Sequence, residues 1–175
     1  IGGWDGQNMR DEIWRFPVGD AVISSPAVSG GLVFVGGING VLHAIDRKTG
    51  QERWQFATQG SILASPAVAN GQVYVGSEDG RVYAVNVNNG QEAWHVEAGS
   101  PVIFETAVAE GLLIFADAAG MLTAVQAING EAAWQVQIGD GSVTTGPVVS
   151  DGAIYILLTD ANLVSALYAI DLETQ

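Results

Sequence analysis

Four tryptophans, Trp14, Trp54, Trp94 and Trp134, stand forty residues apart along the chain. A period of that length marks an array of like units, each of which buries a face against the next. Other landmarks keep step with the indoles. A glycine recurs as Gly40, Gly80 and Gly120, an alanine as Ala44, Ala84, Ala124 and Ala169, and a second glycine as Gly50, Gly90 and Gly130. Ser25-Pro26 and Ser65-Pro66 give way to Glu105-Thr106 in the third unit and Gly146-Pro147 in the fourth. The units run over approximately residues 17–57, 58–97, 98–137 and 138–175.

Within the second unit the pattern predicts four short strands, over residues 64–69, 72–77, 81–86 and 91–96. Asn70-Gly71, Asp79-Gly80 and Asn89-Gly90 separate them, pairs that accept the positive φ angles of tight antiparallel connections. Runs such as Leu32-Val33-Phe34-Val35 and Ile154-Tyr155-Ile156-Leu157-Leu158 are apolar on both faces, so each sheet needs cover on both sides, and neighbouring sheets supply it. Four-stranded antiparallel sheets repeated at this period predict an all-β fold, the β-propeller.

The chain has 175 residues, 48% of them hydrophobic, enough to build such cores. Its net charge of -13 repels phosphate backbones, which argues against nucleic acid as a partner. No stretch approaches the ~18 uninterrupted apolar residues of a membrane span. The absence of cysteine excludes disulfides, thiolate metal sites and a cysteine nucleophile. His43 and His95 sit where sister units carry Tyr83 and Gln55 or Gln135, so both read as ordinary strand residues rather than bases or ligands. No calcium loop, phosphate loop or dinucleotide fingerprint occurs.

The stretch from Ala44 through Asp46 and Gly50 to Trp54 resembles the Ala-x-Asp-x-x-x-Gly-x-x-x-Trp docking motif of PQQ-like propeller repeats. It returns from Ala84 to Trp94 with Asn86 in the Asp position, from Ala124 to Trp134 with Gln126 there, and begins again at Ala169-Ile170-Asp171. On physical grounds the small alanine leaves room for an indole from an adjoining blade, and the glycine turns the chain between third and fourth strands. These residues serve the repeat itself. Quinoprotein dehydrogenases with similar blades also carry a vicinal cysteine pair, a Glu and Asn calcium set and an Asp base, and this chain has no cysteine. The resemblance therefore implies the other branch, the BamB-like outer-membrane assembly lipoproteins. It implies a non-catalytic protein-docking scaffold in the periplasm or outside the cell, with no cofactor. The alternative is a segment of a quinone-dependent dehydrogenase whose cofactor site lies outside these residues.

Unit counting leaves complementary gaps. The fourth unit stops before its last strand, whereas residues 11–16 carry Trp14 as a last strand without the first three. Propellers resembling this family usually have seven or eight blades, so the chain reads as half a ring. Ile1-Gly2-Gly3-Trp4-Asp5-Gly6 resembles the strand end and turn at Val35-Gly36-Gly37-Ile38-Asn39-Gly40, which favours a segment of a longer propeller; a dimer of half-rings is the competing account.

In such blades the connections before the first strand and between the second and third lie on one face. That face collects Asp20, Glu78, Asp79, Asp117, Asp140 and Asp160, with no lysine or arginine in those loops, while Arg47 and Lys48 fall opposite. It is expected to attract a basic partner segment or divalent cations, although such loops also serve solubility. The fourth unit is irregular: it has four extra residues between Tyr155 and Ala169 and one more within Gly139-Asp140-Gly141-Ser142, on the same face. Leu163 and Val164 at the longer loop's tip form a candidate specificity contact, or else pack on a neighbouring blade.

Overall fold

The computed structural model describes residues 12–172, and the resemblance drawn for residues 1–6 lies outside them, as do Asp11 and the last three residues. The first blade comprises β1 (Ala27–Ser29), β2 (Leu32–Gly36), β3 (Val41–Asp46) and β4 (Glu52–Ala57). The second comprises β5 (Ala67–Ala69), β6 (Gln72–Gly76), β7 (Arg81–Asn86) and β8 (Glu92–Glu97). The third comprises β9 (Ala107–Ala109), β10 (Leu112–Ala116), β11 (Met121–Gln126) and β12 (Ala132–Gln137). Each is an antiparallel meander in chain order. First strands are three residues long, and in the first two blades the Ser-Pro segments before them lack an N–H that a ladder would need.

Turn chemistry repeats with the blades. The first two strands join through a residue pair with both φ positive: Gly30-Gly31, Asn70-Gly71, Glu110-Gly111 and Asp151-Gly152. These angles match the strands' right-handed twist. At Asp79-Gly80 and Asn89-Gly90 only the glycine is left-handed, and the Gly80 and Gly90 amides each donate to a carbonyl three or four residues back, at Ser77 and Asn86. Those connections are therefore longer than two-residue turns, and only one member of each pair takes the positive φ that the pair would accept.

The core lies between blades rather than within them. Phe34, Leu42 and Ala44 of the first blade bury against Val73, Val75, Tyr83 and Val85 of the second. Tyr74, Val82 and Ala84 do the same against Leu113, Phe115 and Val125, and Ile114, Leu122 and Ala124 against Ile154, Ile156 and Leu158. The tryptophans staple neighbours together. An added Cβ on Gly50, Gly90 or Gly130 would lie 2.7, 2.7 and 2.8 Å from the rings of Trp14, Trp54 and Trp94 respectively. Trp14 Nε1 donates to Arg47 O at 2.8 Å and Trp54 Nε1 to Val87 O at 2.9 Å. The indole thus meets the glycine of the adjoining blade, while the alanine stands opposite it inside its own sheet, as Ala44 does to Trp54. The regular ladder between third and fourth strands runs up to that pair, and its register shifts just after each alanine, at Ala44/Ile45, Ala84/Val85 and Ala124/Val125.

The fourth sheet departs from the pattern. β13 (Ser142–Val143) and β14 (Val148–Ser150) lie along the same edge of β15 (Ala153–Thr159), and β16 (Ser165–Asp171) pairs on its other side. Its inner strand is broken in two. No strand among the described residues pairs with the outer edge of β16, and residues 12–16 make no ladder although Trp14 is docked.

Candidate acidic interface

Linkers between blades shape one face of the molecule through repeated backbone hydrogen bonds. The Ile38 amide donates to Ala21 O, Glu78 to Ser61 O and Ala118 to Pro101 O, while Ile62 and Val102 donate back to Gly37 O and Ser77 O of the preceding blades. The linkers before the second and third blades therefore each hold the second-to-third-strand loop of both blades they join. All six acidic residues singled out from the sequence sit on these linkers and loops.

Their carboxylates are used unequally. Asp79 accepts from the Gln59 amide at 2.9 Å, the Arg81 amide at 3.0 Å and the Tyr83 hydroxyl at 2.7 Å. Asp117 is buried and accepts from the Ala119 and Met121 amides. Asp160 caps its own hairpin by accepting from Asn162 and Val164, and the Val164 amide, seconded by Asn162, holds its carboxyl below the usual range. Asp20 accepts from the amide of Ala21. Glu78 and Asp140 are exposed, and their carboxylates accept no hydrogen bond from the described residues. Three carboxylates thus form the loops, and two reach freely into solvent.

The insertions in the fourth blade meet. The four extra residues lengthen the β15–β16 hairpin by two on each strand, and its turn closes by Asp160 N donating to Val164 O and Leu163 N to Asp160 O. Leu163 takes a left-handed φ of 63° and is 85% exposed, with Val164 exposed beside it. Gly139, Asp140 and Gly141 from the longer linker line one shallow recess with Asp160, Val164 and Tyr168. Asp140, Asp160 and Val164 are thereby brought together, whereas Asp20, Glu78, Asp79 and Asp117 occupy other blades.

Two side chains were not legible as part of this face. Arg81 opens β7 directly after the acidic loop and binds Glu97 at 2.8 Å, lodging a cation beside Asp79. Glu105 takes the place of a repeat serine near the axis, where Ser65 Oγ donates to it at 3.1 Å and itself accepts from the Ser25 amide. Counting strand ends with the loops would have found Arg81, and the departure from serine would have flagged Glu105. On the opposite face Arg53 and the Thr49 and Lys48 amides hold Asp46 well below the usual carboxylate range. His43 is buried with Nδ1 2.6 Å from Glu52, and His95 lies 2.7 Å from Glu92. Among the described residues no group of three or more His, Asp or Glu is placed to hold a metal ion, and no helix is long and apolar enough to cross a membrane.

The family model described as outer membrane protein assembly factor BamB matches residues 7–175. The chain belongs to this BamB family. Among solved structures it is similar to BamB from Moraxella catarrhalis, at 20% identity and a TM-score of 0.77, over 91% of this chain and 49% of that one. The chain thus spans about half the length of that BamB. The computationally designed protein Ika4 is similar at 18% identity and a TM-score of 0.79, over 93% of this chain and 99% of the design. The quinohemoprotein alcohol dehydrogenase ADHIIG from Pseudomonas putida HK5 is similar at 20% identity and a TM-score of 0.77, over 89% of this chain and 33% of the enzyme. At these identities the likeness is one of fold. No curated protein matches the sequence at a significant level.

Proposed function

We propose that this BamB-family chain is a non-catalytic docking scaffold of the cell envelope whose acidic loop face receives a basic segment of a partner protein, and that a second copy of the chain is among its contacts. The observation that carries this reading is the inserted hairpin. Leu163 and Val164 are exposed at its tip, and the recess at its base holds Asp140 and Asp160. An apolar projection beside the free Asp140 carboxylate suits a segment that offers both cations and aliphatic side chains. Glu78, free in the second blade, extends the negative field along the face.

The test uses a fluorescent peptide of alternating lysine and leucine, titrated by anisotropy at low and high salt. Binding that weakens with salt, and weakens several-fold in Asp140→Asn/Glu78→Gln and in Leu163→Ser/Val164→Ser, is the expected result. Affinity indifferent to both pairs of changes would overturn the reading. The alternative, part of a quinone-dependent dehydrogenase, is supported by the shared fold with the quinohemoprotein enzyme. Dye-linked alcohol oxidation after addition of the quinone and calcium would favour it over the scaffold.

A further inference from the structure

We propose that the recess between the first and second blades, on the face opposite the acidic loops, binds a compact anion carrying two or more carboxylate or phosphate groups. This goes beyond the docking role proposed above and uses none of its residues.

The recess measures about 580 Å3, a size common among small-molecule sites. Its walls include Gly30 and Gly31 of the β1–β2 turn, Arg47 and Lys48 of the β3–β4 connection, Arg53 of β4 and Asn88 of the second blade. Three of the chain's six basic residues therefore meet at one place in a protein of net charge -13. The repeat does not require them there. Val87 and Ala127 hold the place of Arg47, Asn88 and Ile128 that of Lys48, and Ala93 and Ala133 that of Arg53. The second and third blades form the same strands without these cations, so the fold does not explain their presence in the first.

Gly30 departs from the repeat in the same direction. Its counterparts Asn70, Glu110 and Asp151 take a left-handed φ of 52°, 51° and 51°, so the turn does not demand glycine. A Cβ on Gly30 would lie 3.7 Å from Val87 Cγ1 of the second blade, in ordinary contact. The glycine thus keeps the gap between blades open and omits the carboxylate that the third and fourth blades carry in this turn.

The positive charge is both uncommitted and held in place. Asp46, the one carboxylate lining the recess, accepts from Arg53 Nη2 at 2.7 Å through one oxygen and from the Lys48 and Thr49 amides at 2.9 Å through the other. Arg47 and Lys48 are exposed, and neither side chain forms an ion pair among the described residues. Three cations against one carboxylate leave two positive charges in excess. The backbone that carries Arg47 is fixed, since its N–H donates to Gly31 O and its carbonyl accepts from Trp14 Nε1. An anion therefore meets donors already in position, and guanidinium forks suit carboxylate or phosphate oxygens. A compact ligand fits better than an acidic chain. The corresponding connections of the third and fourth blades carry Glu110, Glu131 and Asp151, which repel an anionic segment extended along the face.

Calorimetric titration of the full chain with pyrophosphate and with citrate, each against sodium chloride of equal ionic strength, tests the site. Saturable binding of at least one is expected, and which one binds tells phosphate from carboxylate chemistry. Arg47→Gln/Lys48→Gln is expected to weaken it about tenfold, and Arg15→Gln, which removes a cation outside the recess, to leave it unchanged. Gly30→Asp is expected to bind several-fold more weakly than Gly30→Asn, because the two differ in charge alone and both residue types occupy this turn in sister blades. No saturable binding of either anion, an equal loss in Arg15→Gln, or equal affinity of the two Gly30 variants overturns the site. Binding of a penta-glutamate peptide but of neither small anion overturns the compact ligand.

Discussion

The orphaned indole nitrogen of Trp94 shows how one hydroxyl redirects a repeat. By the pattern of Trp54 on Val87, Trp94 would donate to Ala127 O, but Tyr74 reaches across the blade boundary and takes that carbonyl at 2.9 Å. Trp94 Nε1 is left buried and unpaired. Tyr74→Phe removes a hydrogen bond worth ~1 kcal/mol and frees the carbonyl for the indole, so urea unfolding is expected to place it within about 0.5 kcal/mol of the parent. A loss above about 1.5 kcal/mol would show that the indole does not move in. The glycines give a second contrast. Gly90→Ala imposes a Cβ at φ 70° and drives it to 2.7 Å from Trp54, whereas Gly71→Ala meets the same strain at φ 74° with nothing within 4 Å. Gly71→Ala is expected to cost about 1 kcal/mol, the penalty of the left-handed backbone, and Gly90→Ala at least ~1 kcal/mol more, from chemical denaturation of the two variants side by side. Equal losses would mean that the indole shifts aside at no cost.

At the scale of elements, the hairpin of the fourth blade depends on a charge. Asp160 has its folded-state titration depressed below the ordinary 3.8 by the Val164 amide. A depressed carboxyl adds stability above that ordinary value and loses it as pH falls through the folded-state value. Asp160→Asn keeps an oxygen for the amides but not the charge. The gap between parent and variant melting temperatures is expected to be widest near neutrality and to close as pH drops below about 4; a gap constant with pH would contradict the assignment. Much at this level was legible in advance. The strands of the second blade fall within two or three residues of their expected bounds, since β-branched runs and Asn-Gly pairs are local signals. Glu110 was not legible as a left-handed turn residue, because glutamate carries no preference for its φ of 51° and only the ladder on both sides imposes it.

For the whole molecule, excess negative charge opposes the compact state. With a net charge of -13 and only six basic side chains, of which Arg15, Arg53 and Arg81 are paired with Glu12, Asp46 and Glu97, self-repulsion is partly uncompensated. Raising sodium chloride from about 0.02 to 0.3 M is expected to raise the melting temperature by a few degrees through screening, measured by calorimetry. A fall would mean that the ion pairs outweigh the repulsion. The three inter-blade cores carry the stability of such an array, since each blade is covered by its neighbours rather than by itself.

The forty-residue period by itself determined the repeat and the all-β architecture, because each unit states the same local preferences and the array adds them; that a glycine of the adjoining blade, not the alanine, receives each indole was decided by the tertiary structure. The sequence also assigned the six acidic residues to the loops, since connectivity alone sorts loops onto faces. Which of them remain free for a ligand was decided only by the tertiary structure. Asp79 and Asp117 give their oxygens to amides and a hydroxyl, one of them twenty residues away, while Glu78 and Asp140 give theirs to none. A side chain's own chemistry sets what it prefers, but competition among distant donors and the presence of a neighbouring sheet set what it is left to do.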